Sequence, residues 1–281
     1  MIDVIIPVYN TPLTDLERCL DSILKQSFNN YKVYIIDDGS NNEVRDYLDS
    51  FSKAKDNFIV KHKENAGVSS ARNLGIEISD SPYITFVDSY DVIEKDFLAE
   101  AYKLITENNL DIIIGGYNEI KNNKIVKTRL SLPGLHIYEN ERINIFLEKL
   151  LSGKTNEGNR EIGDCPAGRI YTRLFRRSSL GNLRFNTKIR MSEDTLFMID
   201  YAHQVKRIGI VDRIWYNYYI NDYSVSHGTN KEELLRIIND SLNEIIARMN
   251  NEKDEVIKEA YQARIDKVNS YMDRIRTMNY D

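Results

Sequence analysis

Apolar and polar residues alternate along the first 116 positions in blocks that predict strands and helices in strict succession. Ile2 to Val8 is a near-continuous apolar run, as expected of a strand covered on both faces. Leu13, Leu16, Leu20, Ile23 and Leu24 recur at helical spacing behind Pro12, which a first helical turn tolerates. Val33 to Ile36 predicts a second strand, and Val44, Tyr47, Leu48 and Phe51 a second helix. Phe58 to His62 is a third strand. Asn65-Ala66-Gly67 then turns into a helix with Ser69 or Ser70 near its start and Ala71, Leu74 and Ile78 on one face. Tyr83 to Val87, closed by Asp88, is a fourth strand, and Phe97, Leu98, Ala101, Leu104 and Ile105 mark another helix. Ile112 to Ile114 is a fifth strand before Gly115-Gly116. This β-α-β-α order predicts an α/β fold, a mainly parallel Rossmann-like sheet with helices on both faces.

Beyond residue 116 the rhythm breaks. Asn122-Asn123 between two short runs predicts a hairpin. Glu139 to Leu151 and Ser192 to Ala202 read as helices, with a Gly- and Asn-rich loop over 152–164 between them. A strand is expected near Ile208–Val211, ahead of the aromatic run Trp215–Tyr219. From Thr229 the chain is charged and helical, with Leu234, Leu235, Ile238, Leu242, Ile245 and Met249 as a broken stripe. Three segments are expected: 1–116, 117–228 and 229–281. The mixed charges of the last favour packing on the rest of the chain, or a homodimer, over membrane insertion.

With 281 residues, 42% of them hydrophobic and 29% charged, the chain has an ordinary globular composition. The net charge of −5 argues against a general nucleic-acid binder, which needs a basic face. No secretory leader and no apolar run of about 20 residues are seen, and Cys19 and Cys165 lack metal-type spacing. A reduced, cytoplasmic setting is expected. The eighteen tyrosines suit a ring-stacking cleft, or simply the core and surface.

Three acidic clusters carry the candidate chemistry. Asp37-Asp38-Gly39-Ser40 and Asp88-Ser89-Tyr90-Asp91 close apolar strands, and Ser192-Glu193-Asp194 opens a helix. Carboxylates at the carboxyl ends of strands point into the crevice where open α/β sheets bind ligands. Asp38 suits a uracil N–H or a ribose hydroxyl, or else a plain turn; Arg72 suits a base or phosphate, or else solvent. Asp88 and Asp91 are candidates for Mg²⁺ or Mn²⁺, which take one or two carboxylates plus substrate phosphates. Asp91 suits equally the cap of a helix near Ile93. Glu193 or Asp194, held ionised at a helix mouth, suits a general base, or an N-cap. Between Arg169 and Arg190 the charged residues are Arg169, Arg173, Arg176, Arg177, Arg184, Lys188 and Arg190, with no acid. They suit a solvated face, or a clamp for diphosphate or an anionic acceptor.

Taken together, Val4-Ile5-Ile6-Pro7-Val8-Tyr9-Asn10, Ser27-Phe28, Asp37-Asp38-Gly39-Ser40, Glu64 to Asn73, Tyr83 to Ser89 and Ser192-Glu193-Asp194-Thr195-Leu196-Phe197 resemble the family-2 glycosyltransferases of GT-A fold, over about residues 1–228. The resemblance implies transfer of a sugar from a nucleotide donor, usually UDP-linked, with inversion by single displacement. It places Pro7, Tyr9, Asp38, Arg72, Asp88 and Ser89 around the nucleotide, makes Asp88 part of an Asp-X-Asp metal motif, and makes Asp194 the base, with Glu193 beside it. It assigns donor binding to 1–116 and the acceptor and base to 117–228. Tyr90 departs from the pattern, standing where an Asp usually ligates the metal. Either Asp88 and Asp91 hold the cation, with His227, or the arginine run replaces it, or transfer is lost. Ala167 to Leu174 departs from the usual Trp-Asn-Lys-Leu text, so acceptor contacts do not carry over. The expected function is an inverting hexosyl- or N-acetylhexosaminyl-transferase building a surface polysaccharide at the inner membrane face, on a glycan or lipid-linked acceptor. The alternative is a silent sugar-nucleotide-binding subunit. A nucleotidyltransferase or dinucleotide enzyme on a similar sheet is disfavoured, because no Gly-x-Gly-x-x-Gly follows the first strand.

Overall fold

The structure, a computed structural model, describes residues 1–153, 162–220 and 230–277. Elements follow in the order β1 (Ile2–Val8), α1 (Leu13–Leu24), β2 (Tyr31–Asp37), α2 (Asn42–Lys53), β3 (Phe58–His62), α3 (Val68–Ile78), β4 (Tyr83–Phe86), β5 (Val92–Ile93) and α4 (Phe97–Glu107). Then come β6 (Ile112–Lys121), β7 (Lys124–Arg129), β8 (Leu135–Glu139), a short 3₁₀ turn, α5 (Ile143–Ser152), β9 (Arg173–Arg176), α6 (Arg177–Leu180), α7 (Glu193–Ala202), β10 (Arg207–Tyr219), α8 (Lys231–Asn251) and α9 (Glu255–Thr277). The sheet runs β3-β2-β1-β4-β9-β6-β10-β5. Strands β3, β2, β1 and β4 are parallel, as are β6 and β10, and antiparallel β9 is inserted between the two groups.

Period-two alternation in β1 sorts its side chains onto two cores. Val4 and Ile6 pack with α1, α2 and α4, while Ile5 packs on the face that carries α3, α5 and α7. The helical stripe after Thr229 belongs to this second face. Leu234, Ile238, Leu242 and Ile245 are buried in it, and Leu235 and Met249 pack at its edge. The C-terminal pair α8–α9 is therefore part of the chain's own core. Helix α3 sits close to the sheet because Gly75 has no side chain, and a Cβ there would lie 2.4 Å from Cγ2 of Ile5. Gly75→Ala is expected to cost about 1–3 kcal/mol, the usual range for overpacking. Urea denaturation measures this, and an unchanged midpoint would show that α3 can lift away freely.

Several elements differ from the periodicity reading. The basic run at Arg173–Arg176 is an interior strand in which Arg173, Leu174 and Phe175 are buried. Residues 207–219 form one long strand rather than a strand plus an aromatic run. The segment expected to be helical from Glu139 starts as the end of β8, and the helix proper begins at Ile143. No helix starts near Ile93. A two-residue strand lies there, and α4 begins at Phe97 behind Asp96. The Asn122-Asn123 hairpin is present, with φ values of 52° and 57° at the two turn residues, as a primed two-residue turn requires.

Candidate active site

The carboxyl ends of β1, β2 and β4 meet the first turns of α3 and α7. Asp38, just past β2, is 2% exposed. One of its carboxylate oxygens accepts the Lys63 ammonium and the backbone N–H of Ala66 (3.1 Å), the other the N–H of Gly67 (2.7 Å). A carboxylate has about four acceptor positions, so this one serves first to seat the start of α3. Gly67 takes φ 89°, a conformation suited to glycine at such a turn. Neighbouring Asp37 accepts from Ser40 N–H and from His62 Nδ1. Asn10 and Ser40 tie the ends of β1 and β2 together, leaving the Tyr9 ring 56% exposed beyond buried Pro7.

About 1.4 turns into α3 stands Arg72, 3% exposed. Its guanidinium donates to Asp88 Oδ1 at 3.0 Å, Asp194 Oδ1 at 2.6 Å and Glu193 Oε1 at 3.1 Å. The reading of Arg72 as a solvated helix residue is overturned, because it is the buried hub of two of the three acidic clusters. Burial alone would lower its pKa, but the three carboxylates, Asp194 foremost, reverse this and hold it above the usual arginine value. Asp194 also accepts the Ile170 N–H, at 3.3 Å. Burial, followed by the Asp194 charge, lifts Glu193 out of the ordinary carboxylate range. Asp88 is raised by burial too, against the pull of Arg72.

Asp91 faces the interior. It is fully buried, with Oδ2 accepting the Tyr216 hydroxyl (2.8 Å) and Oδ1 the Tyr219 N–H (2.8 Å). Tyr216 Oη in turn accepts the Asp88 N–H at 3.1 Å. Asp91 therefore fastens the Asp88 loop to β10 and caps no helix. Burial raises its pKa above the usual value, against the pull of the Tyr219 N–H and the Tyr216 hydroxyl, and both of its oxygens are taken by these donors. Tyr90 is held neutral, by the Asp88 charge and then by burial, and a neutral phenol is a poor ligand for Mg²⁺ or Mn²⁺. Ser89 Oγ pairs with Thr11 Oγ1 at 2.6 Å. Among the described residues no group of three or more His, Cys, Asp or Glu could hold a metal ion; of Asp88 and Asp91, Asp88 keeps one oxygen without a protein donor, and Mg²⁺ commonly takes one carboxylate plus substrate phosphates. His227 lies outside the described residues.

The expected basic patch is dispersed. Arg173 is fully buried and donates to the carbonyls of Pro166 and Ala167, with burial pushing its guanidinium down to about 10. Arg176 and Arg177 hold backbone carbonyls of Leu110 and Ser81. Arg190 pairs with Glu233 of α8 at 2.9 Å. Of these seven basic residues Arg169 alone lines the cleft at the site. It lines the same cleft as Glu193 and Asp194, its guanidinium 5.9 Å from the Tyr218 ring centre. That cleft has a volume of about 550 Å³ and is also walled by Tyr117, Gly168 and Thr195. Sequence reasoning missed Tyr216 as the link between Asp88 and Asp91, although it lies in the noted aromatic run. It missed Lys63 as the partner of Asp38, for which no local signal exists.

An α/β sheet with this inserted antiparallel strand, and one arginine holding a strand-end carboxylate together with two from a helix start, defines a GT-A type site. The family model "Glycosyl transferase family 2" matches residues 3–183, and the chain belongs to that family. It is 31% identical over 224 residues to "Glycosyltransferase GlyA" of Streptococcus pneumoniae serotype 4, covering 76% of this chain and 32% of that protein. It is 27% identical over 220 residues to "Poly(ribitol-phosphate) beta-glucosyltransferase" of Bacillus spizizenii, covering 74% of this chain and 30% of the relative. The chain thus spans about a third of the length of these relatives. Among solved structures, S. aureus TarS 1–349 in complex with UDP-GlcNAc superposes with a TM-score of 0.67 at 20% identity, covering 98% of this chain and 72% of that one.

Proposed function

We propose that the chain transfers a sugar from a UDP-linked donor to a hydroxyl of a cell-surface polymer, inverting the anomeric carbon in a single displacement. The observation that carries this reading is Arg72 bound at once to Asp88, Glu193 and Asp194. It brings the candidate leaving-group end and the candidate base to within one side chain of each other.

In this reading Asp194 takes the proton from the acceptor hydroxyl as its oxygen attacks the anomeric carbon. The bond from that carbon to the diphosphate oxygen breaks, and UDP leaves with the electron pair. Glu193 sits beside the base, and Arg72 positions both on the axis of attack. Asp38 and exposed Tyr9 frame the nucleoside end, with Pro7 and Ser89 shaping its floor. Negative charge grows on the departing diphosphate, and its electrostatic stabilisation speeds the step. Asp88 would hold a divalent cation, which supplies neutralisation of that charge. Residues 1–116 form the donor half and 117–228 the acceptor half. No helix among the described residues is long and apolar enough to cross a membrane, and work at the cytoplasmic membrane face on a glycan or lipid-linked acceptor belongs to the proposal. So does a hexosyl or N-acetylhexosaminyl donor group.

The test is UDP release from UDP-hexoses and UDP-N-acetylhexosamines, with and without chelator, followed by NMR of the product's anomeric configuration. Retention of configuration would overturn the single displacement. The second reading, a silent donor-binding subunit, is favoured by one observation. Tyr90 replaces a ligating Asp while Asp91 is locked inward. UDP binding without release from any donor would establish it. Tyr90→Asp adds a carboxylate two residues from Asp88, and is expected to raise stimulation by Mn²⁺ about tenfold, in line with a second oxygen ligand. A Mn²⁺ titration of UDP release measures this, and an unaltered titration would remove position 90 from metal binding.

A further inference from the structure

The cleft beside Glu193 and Asp194 is closed on its other side by the C-terminal helix. Arg264 and Lys267 of α9 line it, together with Arg129, Lys149 and Arg169. Its carboxylates are Asp164, Glu193 and Asp194. All three are engaged, Asp164 by Arg129 at 2.9 Å and the other two by Arg72. The side chains of Arg169, Arg264 and Lys267 have no hydrogen-bond or ion-pair partner among the described residues, Arg169 meeting only the Tyr218 ring, and the Arg264 Nε is buried without one.

Like charges in one cleft repel, and the repulsion grows as water is excluded. Burial and the charge of Arg169 both push the Arg264 guanidinium below its usual value. In a chain of net charge −5, three unpaired cations converging on one cleft make a site that is incomplete without an anion. The donor diphosphate is not the natural occupant, because none of Pro7, Tyr9, Asp38 and Asp88 lines this cleft. The side of the cleft that holds Glu193 and Asp194 is where an accepting hydroxyl would have to lie.

We infer that Arg169, Arg264 and Lys267 bind an anionic group, phosphate or carboxylate, carried by the acceptor chain next to the hydroxyl that receives the sugar. Calling that chain the acceptor rests on the transfer reading; the anion site itself does not. Guanidinium forks match the paired oxygens of either anion, and Lys267 adds a mobile point charge at the rim. The C-terminal segment thereby contributes to specificity as well as to the core.

The test is calorimetric binding of three oligomers of equal length to the full chain: a glycerol phosphate, a hexuronate and a neutral hexose. The phosphate or the hexuronate oligomer is expected to bind at least tenfold tighter than the neutral one, and to lose that advantage between 0.05 and 0.5 M NaCl. Which of the two binds tighter identifies the anion. Lys267→Gln is expected to weaken the preferred oligomer about threefold, and the Arg264→Gln/Lys267→Gln pair about tenfold or more, with partial recovery in Arg264→Lys. Lys267 is exposed, so its replacement leaves folding undisturbed. Equal affinity for all three oligomers, or a double variant that binds like wild type, would overturn the inference. UDP release without acceptor is measured alongside. Its absence counts against the transfer reading while leaving a charge-dependent binding result standing.

Discussion

Asp194→Asn is expected to lower kcat for transfer by about 10²–10⁴-fold, the usual contribution of a positioned proton acceptor, while donor affinity stays within a few-fold of wild type. Asparagine keeps the shape of the side chain, and its carbonyl can still accept from Arg72, now 2.6 Å from Asp194 Oδ1. What it loses is the ability to take a proton at neutral pH. The split between kcat and donor Kd is therefore the decisive readout. Single-turnover transfer with an acceptor, and calorimetry with UDP, measure the two separately. If kcat changed by less than a factor of about ten, the base would have to be sought elsewhere, with Glu193 first in line.

Arg72→Met should have the largest effect on stability, about 3–5 kcal/mol at pH 7.5, as for removal of one partner from a buried ion-pair network. The loss leaves Asp88, Glu193 and Asp194 facing one another at 13–15% side-chain exposure with no cation between them. Wild-type Asp88 and Glu193 already have folded-state pKa values above their usual ones, and without Arg72 both rise further. A carboxyl whose pKa is higher folded than unfolded takes up protons on folding, so lowering the pH restores stability. The deficit is thus greatest at neutral and alkaline pH and narrows toward pH 5. Thermal denaturation of both proteins from pH 5 to 8 checks sign and size together, with a Tm difference of roughly 10 °C at the upper end. A deficit under about 1 kcal/mol, or one that does not vary with pH, would show that the carboxylates are less confined than their contacts imply.

The first 116 residues were largely legible. The strand of Ile2–Val8 and the helix stripe on Leu16, Leu20 and Ile23 read directly from residue type, because a strand buried on both faces must be apolar throughout and a half-buried helix must repeat every 3.6 residues. The positive φ at both hairpin asparagines was legible for a similar reason, since few other residues tolerate that backbone. Where charged residues enter the interior, the signal failed. Arg173 sits in a core strand because Pro166 and Ala167 offer it carbonyls, and those partners lie across a turn that no periodicity marks. Asp91 reads as a ligand or a cap, and only the hydroxyl of Tyr216, 125 positions away, makes it an interior lock.

The sequence by itself determined the secondary-structure rhythm, the acidic strand ends and the membership in the glycosyltransferase family, since each depends on residue type within a short window. The tertiary structure alone decided which charges meet. It selected Arg72 as the hub, withdrew Asp91 and Arg173 from the site, and carried Arg264 and Lys267 to the cleft from the far end of the chain. The physical reason is that a charge acts through distance and burial, neither of which is written in the spacing of residues along a polypeptide. Around Arg72 this makes a single claim: one buried guanidinium gathers carboxylates from just past β4 and from the start of α7 into one candidate site. Coordinates from a donor complex that showed Asp194 turned away from Arg72 and from the sugar would dismantle it.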